Sequence, residues 1–293
     1  MNAITLVGHI CLDEVIINGK RQKLRLGGAV SYGYITAVSY NVPIKIISKV
    51  GSDFPKKFLK FFGQASFTHI LVDKFHKTTR FLLDYHGSKR TIRLLARCAA
   101  LEYSDIASYV SENDLLHFGL LVREVSPEVI SRINAKLKLL DLQGYMRHFD
   151  DKGNLTLEPR ELPKVDILHA EIKEALIESQ TTRIRDMFFF FQRYQIISLI
   201  TLGNGGAFVV TPQHIFYAPP AATRIVVDET GAGDVFSTAF LIEYNKNNDI
   251  RWAVAKATAA ASLSIELKGA KPFKYGKELE ARAEEVHSRI HEF

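Results

Sequence analysis

The sequence has little cysteine and no long apolar run, and these absences exclude several classes of protein. Its two cysteines, Cys11 and Cys98, are too few for a disulfide framework or a multi-cysteine metal site. The longest apolar stretches, such as Met187–Phe191, fall far short of the roughly 18–20 residues that a membrane helix needs. Residues Met1–Gly8 predict a strand and lack the basic start and apolar stretch of a signal peptide. We therefore expect a cytoplasmic protein with no membrane partner.

The sequence also lacks repeats, low-complexity tracts and linkers that would mark a domain boundary. Its 293 residues, 47% of them hydrophobic, suffice to bury one large core and are too apolar for disorder. We therefore expect a single domain over residues 1–293. The net charge of +6 suggests a nucleic-acid partner, but the densest basic stretches, Lys20–Arg25 and Lys89–Arg97, are short and interrupted by apolar residues. We therefore expect no nucleic-acid partner.

Strand and helix signals alternate along the chain. Ser126-Pro127-Glu128 is typical of a helix start and predicts a helix over Val129–Leu139, and an alanine-rich helix is predicted over Ile250–Glu266. The alternation predicts an α/β fold with a mostly parallel central sheet and helices on both faces. The predicted strands are β-branched runs, several of them apolar throughout as in a sheet covered on both faces: Ile4–Val7, Ile44–Val50, Leu137–Asp141, Val165–Leu168, Ile196–Leu202 and Ala207–Val210.

One region departs from this alternation. Thr79–Tyr85 and Thr91–Leu95 are strand-like runs around the turn residues His86–Lys89, a pattern that predicts a β-hairpin. With the early segment 11–26, the hairpin would form a small sheet beside the main body. We expect a β lid formed from about residues 11–26 and 74–97. Its unpaired strand edges would allow a lid-mediated homodimer as the alternative to a monomer.

The most informative stretch of the sequence covers residues 225–240. An apolar strand over Ile225–Val227 leads to the small-residue turn Gly231-Ala232-Gly233, and a helix follows at once. The N–H groups of this turn would lie at the helix N-terminus, an arrangement that binds anions. Asp234, in the first helical turn, would lie beside the anion, where repulsion favours a proton-accepting role. A glycine-rich helix cap is the alternative interpretation.

Two motifs carry a resemblance to a known family. The segment 228–234, Asp-Glu-Thr-Gly-Ala-Gly-Asp, resembles the signature of the ribokinase/PfkB family of sugar and nucleoside kinases. Leu26–Gly33, followed by Lys49–Asp53, is similar to the Gly-Gly region near the start of that family's chains. Thr201–Gly203 and Lys268–Ala270 match in order as well. The resemblance implies a ribokinase-like three-layer sandwich with a β lid, Mg²⁺ as cofactor and ATP as phosphoryl donor.

The resemblance also implies roles for individual residues. Asp234 would be the catalytic base that takes the proton from the attacking hydroxyl, while the N–H groups of Gly231, Ala232 and Gly233 stabilise the transferred phosphoryl group. Asp13 would hold substrate hydroxyls, and Gly27 and Gly28 would let the substrate lie against the backbone. Ordinary turn residues are the alternative for Asp13 and for the glycine pair.

Glu174 matches the glutamate of the family's Asn-x-x-Glu motif, which holds magnesium and phosphate through water. Glu171 stands at the asparagine position, and two carboxylates three residues apart would share one helix face and serve a hydrated Mg²⁺. A solvated acidic face is the alternative.

Asp228 resembles the loop residue that binds a monovalent cation such as K⁺ in some members, although Glu229 stands where a small residue is common. The positions that resemble nucleotide contacts are Thr201, Gly203, Ala259 and Ser262.

The segment after the strand Leu137–Asp141 bears on the substrate. It puts Gln143 and Arg147 near the carboxyl end of that strand, where open α/β sheets bind ligands. It resembles the Asp-x-Gln-Gly segment of family members that include archaeal and plant inositol kinases. Gln143 both donates and accepts hydrogen bonds and suits a polyol, whereas Arg147 suits a phosphate. A strand-to-loop turn with an exposed arginine is the alternative.

Together these features predict a transferase that moves the γ-phosphate of ATP to a hydroxyl of a small polyol or sugar, either inositol-like or a pentose or hexose. Another nucleoside triphosphate or ADP is the alternative donor. A nucleoside kinase of the same family is the alternative enzyme. A non-catalytic sugar or nucleotide sensor is the alternative from another class, and it is disfavoured because a sensor needs no base at Asp234.

Overall fold

The computed structural model describes residues 2–86 and 89–293. The strands, in chain order, are β1 Ile4–Val7, β2 Cys11–Ile17, β3 Lys20–Arg21, β4 Arg25–Gly27, β5 Ile44–Gly51, β6 Phe67–Asp73, β7 Arg80–His86, β8 Lys89–Ala96, β9 Leu115–Phe118, β10 Leu137–Asp141, β11 Arg147–Phe149, β12 Leu155–Leu157, β13 Ile167–Glu171, β14 Ile197–Thr201, β15 Ala207–Val210, β16 Ile215–Ala218 and β17 His291–Glu292. The helices are α1 Ala29–Ser39, α2 Tyr103–Ile106, α3 Pro127–Arg132, α4 Leu142–Met146, α5 Ile172–Glu178, α6 Ile184–Gln192, α7 Ala232–Asn247, α8 Ile250–Ser264 and α9 Lys277–Ser288, with 3-10 helices over Lys56–Phe62, Ala107–Tyr109 and Gly203–Gly205.

Ten strands form the main sheet in the order β17-β16-β15-β14-β13-β10-β9-β1-β5-β6. Every neighbouring pair from β14 to β6 is parallel, and β15, β16 and β17 extend the sheet antiparallel beyond β14. Strand β1 lies between β9 and β5, with Ile4 opposite both Ile44 and Leu115. Its four residues are all buried, as the continuous apolar run predicted for a sheet covered on both faces.

Helices cover both faces of this sheet and enclose two hydrophobic cores. One core gathers buried side chains of α1, α7, α8 and α9 against the sheet. The other gathers buried side chains of α3, α4, α5 and α6 against the opposite face. The predicted α/β three-layer architecture with a mostly parallel sheet is confirmed. Within the described ranges, none of the helices has the length and apolar character to span a bilayer.

A second sheet of five strands lies apart from the main one. Its order is β3-β2-β7-β8, with β4 also paired to β2. Strand β2 runs parallel to β7, and β7 and β8 form an antiparallel hairpin. The predicted hairpin turn falls partly on Gly87 and Ser88, which lie outside the described residues. Buried residues of this sheet, including Val15 and Phe81, form a small core of their own.

Two predicted elements differ most from the structure. The helix predicted over Val129–Leu139 ends at Arg132, because Ile133 is already extended and the chain enters β10 at Leu137. The strand predicted over Ile225–Val227 is not formed, because the segment has no neighbouring strand and the N–H group of Val227 donates instead to the carbonyl of Ile265. Its β-branched side chains are exposed rather than buried in a sheet.

Candidate active site

A cavity of about 1330 Å³ lies at the carboxyl ends of the parallel strands, below the second sheet. Strand ends of the main sheet contribute Asp141 and Glu171, and the second sheet contributes Asp13 and Arg90. Open α/β sheets bind ligands at this edge. The predicted site residues that line the cavity are Asp13, Gly28, Gln143, Arg147, Glu171, Glu174, Thr201, Gly203, Asp228, Gly231, Ala232, Gly233, Asp234 and Ser262.

The small-residue turn forms the N-terminus of α7, as predicted. Gly231 is the N-cap residue and has a φ of 79°, and a Cβ placed on it would lie 2.2 Å from the ring of Tyr32, so only glycine fits there. The N–H group of Ala232 donates to the carbonyl of Glu229 at 3.2 Å. The predicted anion site of three N–H groups is therefore corrected to two, because only those of Gly231 and Gly233 are left without a partner among the described residues.

Asp234 faces the cavity from the first turn of α7. Its carboxylate is half-buried and makes no hydrogen bond or ion pair with any described residue. Burial, reinforced by the negative charge of Asp141, raises the pKa of Asp234 to about 8, against the opposing effect of His169 and Arg147. An unbonded carboxylate with a pKa in this range can accept a proton from a ligand once it is ionised, in the fraction that grows as the pH rises toward 8.

Asp13 lies in β2 and points into the cavity. The thiol of Cys11 donates to its Oδ1 at 3.4 Å, and burial raises the pKa of Asp13 to about 6. Gly28 lines the cavity with a φ of 91°. Gly27 does not line it, contrary to prediction, since it is buried, and a Cβ there would meet the carboxylate of Asp13 at 2.1 Å. Gly27 therefore makes room for Asp13 rather than for a ligand.

Gln143 and Arg147 both line the cavity, as predicted. The side chain of Asp141 accepts a hydrogen bond from the N–H group of Gln143 at 3.0 Å, which fixes the turn from β10 into α4. The arginine is not exposed: it is only 8% accessible, and its guanidinium makes no hydrogen bond or ion pair with any described residue. Burial lowers its pKa, while Glu174 raises it. A buried guanidinium without a partner marks a place where a ligand anion would be stabilised.

Glu171 and Glu174 do not share one helix face as predicted. Glu171 is the N-cap residue of α5, and its backbone N–H donates to Oε2 of Glu174 at 2.8 Å in a reciprocal capping box. Glu174 is buried, which raises its pKa to about 7. The described residues contain no cluster of three or more metal-ligating side chains. Two carboxylates at the cavity wall suit a hydrated Mg²⁺ that is carried largely by ligand phosphates.

Asp228 lines the cavity, but its carboxylate is already bonded. Oδ1 accepts from the N–H group of Thr230 at 3.1 Å, and Oδ2 accepts from that of Gly269 at 3.0 Å. Nη1 of Arg25 lies 3.9 Å from the same Oδ2. These donors leave a poor site for the K⁺ ion that the resemblance implied.

The cavity extends from the strand ends to a more open region of loops and helix α8. Thr201, Gly203 and Ser262 line this region, as predicted. Ala259 does not, because its side chain is fully buried in the core, and the helix presents Ala261 and other residues one turn apart instead. Further apolar lining comes from Val226, Val227 and Ile265.

Sequence reasoning missed His169, which lies in β13 at the centre of the site. Its Nδ1 lies 2.8 Å from Oδ2 of Asp141, and its Nε2 lies 3.3 Å from Oγ1 of Thr201. Burial acts to lower the pKa of His169, but Asp141 outweighs it and the pKa is raised. A Cβ on Gly233 would lie 3.1 Å from its ring. A polar residue two positions before Glu171, near the carboxyl end of an apolar strand, was the available signal.

A protein-family model described as pfkB family carbohydrate kinase matches residues 4–274. The chain is 23% identical over 259 residues to a cytidine kinase of Thermococcus kodakarensis, a match that covers 86% of this chain and 91% of that protein. It is 23% identical over 280 residues to an inositol 3-kinase of Arabidopsis thaliana, covering 90% of this chain and 74% of that protein. Among solved structures, a sulfate complex of a pyrophosphate-dependent kinase in the ribokinase family superposes with a TM-score of 0.79 at 23% identity, covering 95% of this chain and 99% of that one.

Proposed function

Because the chain belongs to the pfkB family of carbohydrate kinases, we propose that it transfers a phosphoryl group from ATP to a hydroxyl group of an inositol or a sugar. The observation that carries this proposal is the unbonded carboxylate of Asp234 beside the free N–H groups of Gly231 and Gly233, all on one cavity. A base next to an anion site is what hydroxyl phosphorylation requires.

The part of the cavity lined by Asp13, Gly28, Gln143 and Arg147, termed the acceptor end, would hold the acceptor. The carboxylate of Asp13 accepts hydrogen bonds from hydroxyl groups, and Gln143 both donates and accepts. Both side chains suit a polyol. Asp234 takes the proton as the O–H bond of the acceptor breaks, the new O–P bond forms and the bond from phosphorus to the leaving phosphate oxygen breaks. The proton then passes from Asp234 to solvent.

The negative charge of the transferred group would be stabilised by groups that are already in place. Two backbone N–H groups at the start of α7 are free on the same cavity, and the guanidinium of Arg147 supplies a positive charge that no described residue neutralises. Pre-positioned donors of this kind account for most of the catalysis in phosphoryl transfer. Arg147 is therefore assigned to the phosphoryl group rather than to a structural ion pair.

Glu174, with Glu171, would hold the hydrated Mg²⁺ that accompanies the phosphates. Both carboxylates line the cavity, and Oε1 of Glu174 has no hydrogen-bond partner among the described residues. When bound, Mg²⁺ neutralises charge on the phosphate oxygens. The capping box fixes the side chain of Glu174 beside the cavity.

The region lined by Thr201, Gly203, Val226, Val227 and Ile265, termed the donor end, supports a nucleotide as the donor. Val226, Val227 and Ile265 give it an apolar and partly open wall, which suits the face of a purine base. Pyrophosphate has no group that would use such a surface. The lining therefore favours ATP over pyrophosphate.

The second sheet would act as a lid over the acceptor end. It presents Val15, Phe81, Leu83, Tyr85 and Ile92 to the cavity. An apolar cover excludes water, which limits wasteful hydrolysis of the donor.

The test is a matrix of acceptors and donors with the purified protein and Mg²⁺. Inositols, pentoses, hexoses and nucleosides are each combined with ATP or pyrophosphate, and the phosphorylated product is identified by ³¹P NMR. We expect turnover with ATP and an inositol or sugar. Turnover with pyrophosphate alone would overturn the assignment of ATP as the donor. Turnover with nucleosides alone would overturn the assignment of an inositol or sugar as the acceptor. Acceptor binding without any turnover would identify a sensor.

A further inference from the structure

The oxygen atoms around Asp228 are already bonded to backbone N–H groups. Besides the two bonds to its carboxylate from Thr230 and Gly269, the carbonyl of Ile265 accepts from the N–H groups of Val227 at 2.8 Å and Asp228 at 3.1 Å. A bound K⁺ needs oxygen atoms that replace its hydration shell. The oxygens closest to the loop are therefore committed to other bonds.

Two other acids close to this loop in sequence or space, Glu266 and Glu229, do not supply the oxygen ligands that K⁺ needs. Oε1 of Glu266 accepts from the backbone N–H of Arg224 and from the guanidinium of Arg282, both at 2.8 Å. Glu229 lines the cavity, but it is exposed to solvent, where water screens its charge. Lys268, beside Gly269, also lines the cavity and adds positive charge at the same place.

Arg25 brings a permanent positive charge close to the carboxylate of Asp228. It lies in β4 directly opposite Asp13 in β2, so the two side chains are on the same face of the second sheet. Its guanidinium lies 3.9 Å from Asp228 and lowers the pKa of Asp13 against the raising effect of burial. Arg25 therefore lies between the acid of the acceptor end and the acid of the turn before α7.

We propose that Arg25 replaces the monovalent cation in this chain: it neutralises Asp228, holds the loop that precedes Gly231 in place, and makes the enzyme independent of K⁺. Arg25 is a positioning residue, since it acts on the transferred phosphoryl group through the loop. The kinetic part of this inference rests on the proposed function. The part that concerns the occupancy of the loop does not.

The kinetic test compares K⁺ with choline chloride at equal ionic strength. We expect the unaltered protein to show the same kcat in both salts within about twofold, and Arg25→Ala to lose about tenfold in kcat. K⁺ or guanidinium should restore part of that loss, which a merely structural lesion would not show, and Arg25→Lys should retain most of the rate. Arg21→Ala is the matched control, because Arg21 lies on the neighbouring strand β3 and pairs only with Glu14 in the described chain.

The second test needs no activity, so it separates this inference from the proposed function. Crystals of the unaltered protein and of Arg25→Ala are soaked in rubidium chloride, and anomalous scattering locates the ion. We expect no rubidium at Asp228 in the unaltered protein and a peak there in Arg25→Ala. A rubidium peak at Asp228 in the unaltered protein, or its activation several-fold by K⁺, would overturn the proposal.

Discussion

The acceptor end and the donor end of the cavity differ in burial and in the chemistry of their walls. At the acceptor end, Asp13 and Arg147 are each only 8% exposed, and the arginine has no partner among the described residues. At the donor end, Val226 is 55% and Val227 is 48% exposed, and both lie on an irregular loop. Burying an unpaired charge costs free energy, whereas an apolar loop at the surface costs little. Within this cavity, the acceptor end therefore carries the cost of an unpaired buried charge, and the donor end does not.

The largest effect on kcat is expected at Asp234, the proposed base, which belongs to neither the acceptor end nor the donor end of the cavity. Asp234→Asn removes the base while keeping the shape, so kcat should fall by at least about 10³-fold, with acceptor affinity nearly unchanged. Steady-state kinetics and calorimetric binding of the acceptor measure the two effects. Glu229→Gln, on the exposed part of the same loop, is the control and should stay close to the unaltered rate. A rate for Asp234→Asn within tenfold of normal would contradict the assignment.

The next effect separates activity from stability at the acceptor end. Arg147→Met should lower kcat by about 10²-fold, because a charge on the phosphoryl group is lost. The melting temperature should be equal or higher, because an unpaired buried charge is replaced by an apolar side chain. Arg93→Met, on the exposed side of β8, is the matched control and should change neither quantity. A marked loss of stability in Arg147→Met would show that the guanidinium is a structural group.

Two glycines with positive φ, Gly231 in a packed turn and Gly203 in an open one, allow a comparison of stability. Gly231→Ala adds a Cβ 2.2 Å from the ring of Tyr32, so we expect a loss of about 2–4 kcal/mol in the free energy of unfolding. Gly203→Ala, at the donor end, meets nothing within 4 Å and should lose only about 1 kcal/mol from backbone strain. Urea denaturation measures both. Equal losses would mean that the contact with Tyr32 carries no weight.

The smallest effect is expected at the donor end. Val226→Asp puts a charge on the apolar wall and should raise the KM for ATP about fivefold, which corresponds to about 1 kcal/mol of lost contact, with kcat unchanged. Ile225→Asp is the control, since Ile225 is 63% exposed and does not line the cavity. If the two variants have the same KM, the base of the donor does not lie against Val226.

Structural features that depend on residues adjacent in the chain were predictable from the sequence. The apolar runs gave β1, β10 and β15 with their observed bounds, and the small-residue turn was placed at a helix N-terminus beside Asp234. Each depends on local backbone geometry or on a run buried on both faces, and both leave a pattern in neighbouring residues. Arg147 was also placed near the carboxyl end of β10, although its burial was not expected.

Features that depend on distant segments were not predictable. His169 becomes a site residue only because β10 and β14 flank β13 and bring Asp141 and Thr201 to it. Ala259 was assigned to the nucleotide by resemblance, whereas helical spacing puts Ala261 and Ile265 on the cavity and turns Ala259 toward the core. Ile225–Val227 has the composition of a strand, but no strand is available to pair with it.

The pH dependence of kcat/KM for the acceptor tests most directly whether Asp234 is the base. The pKa of Asp234 is raised to about 8, so its carboxylate is mostly protonated and inactive at pH 6 and ionised above pH 8. The pKa values of Glu174, about 7, and Asp13, about 6, make the rise steeper at low pH without moving its upper bend. We predict that kcat/KM rises with pH, bends near pH 8 and levels off above about pH 9, and that the residual rate of Asp234→Asn lacks this bend. A profile of the unaltered enzyme that is flat or falls between pH 6 and 9 would contradict the account.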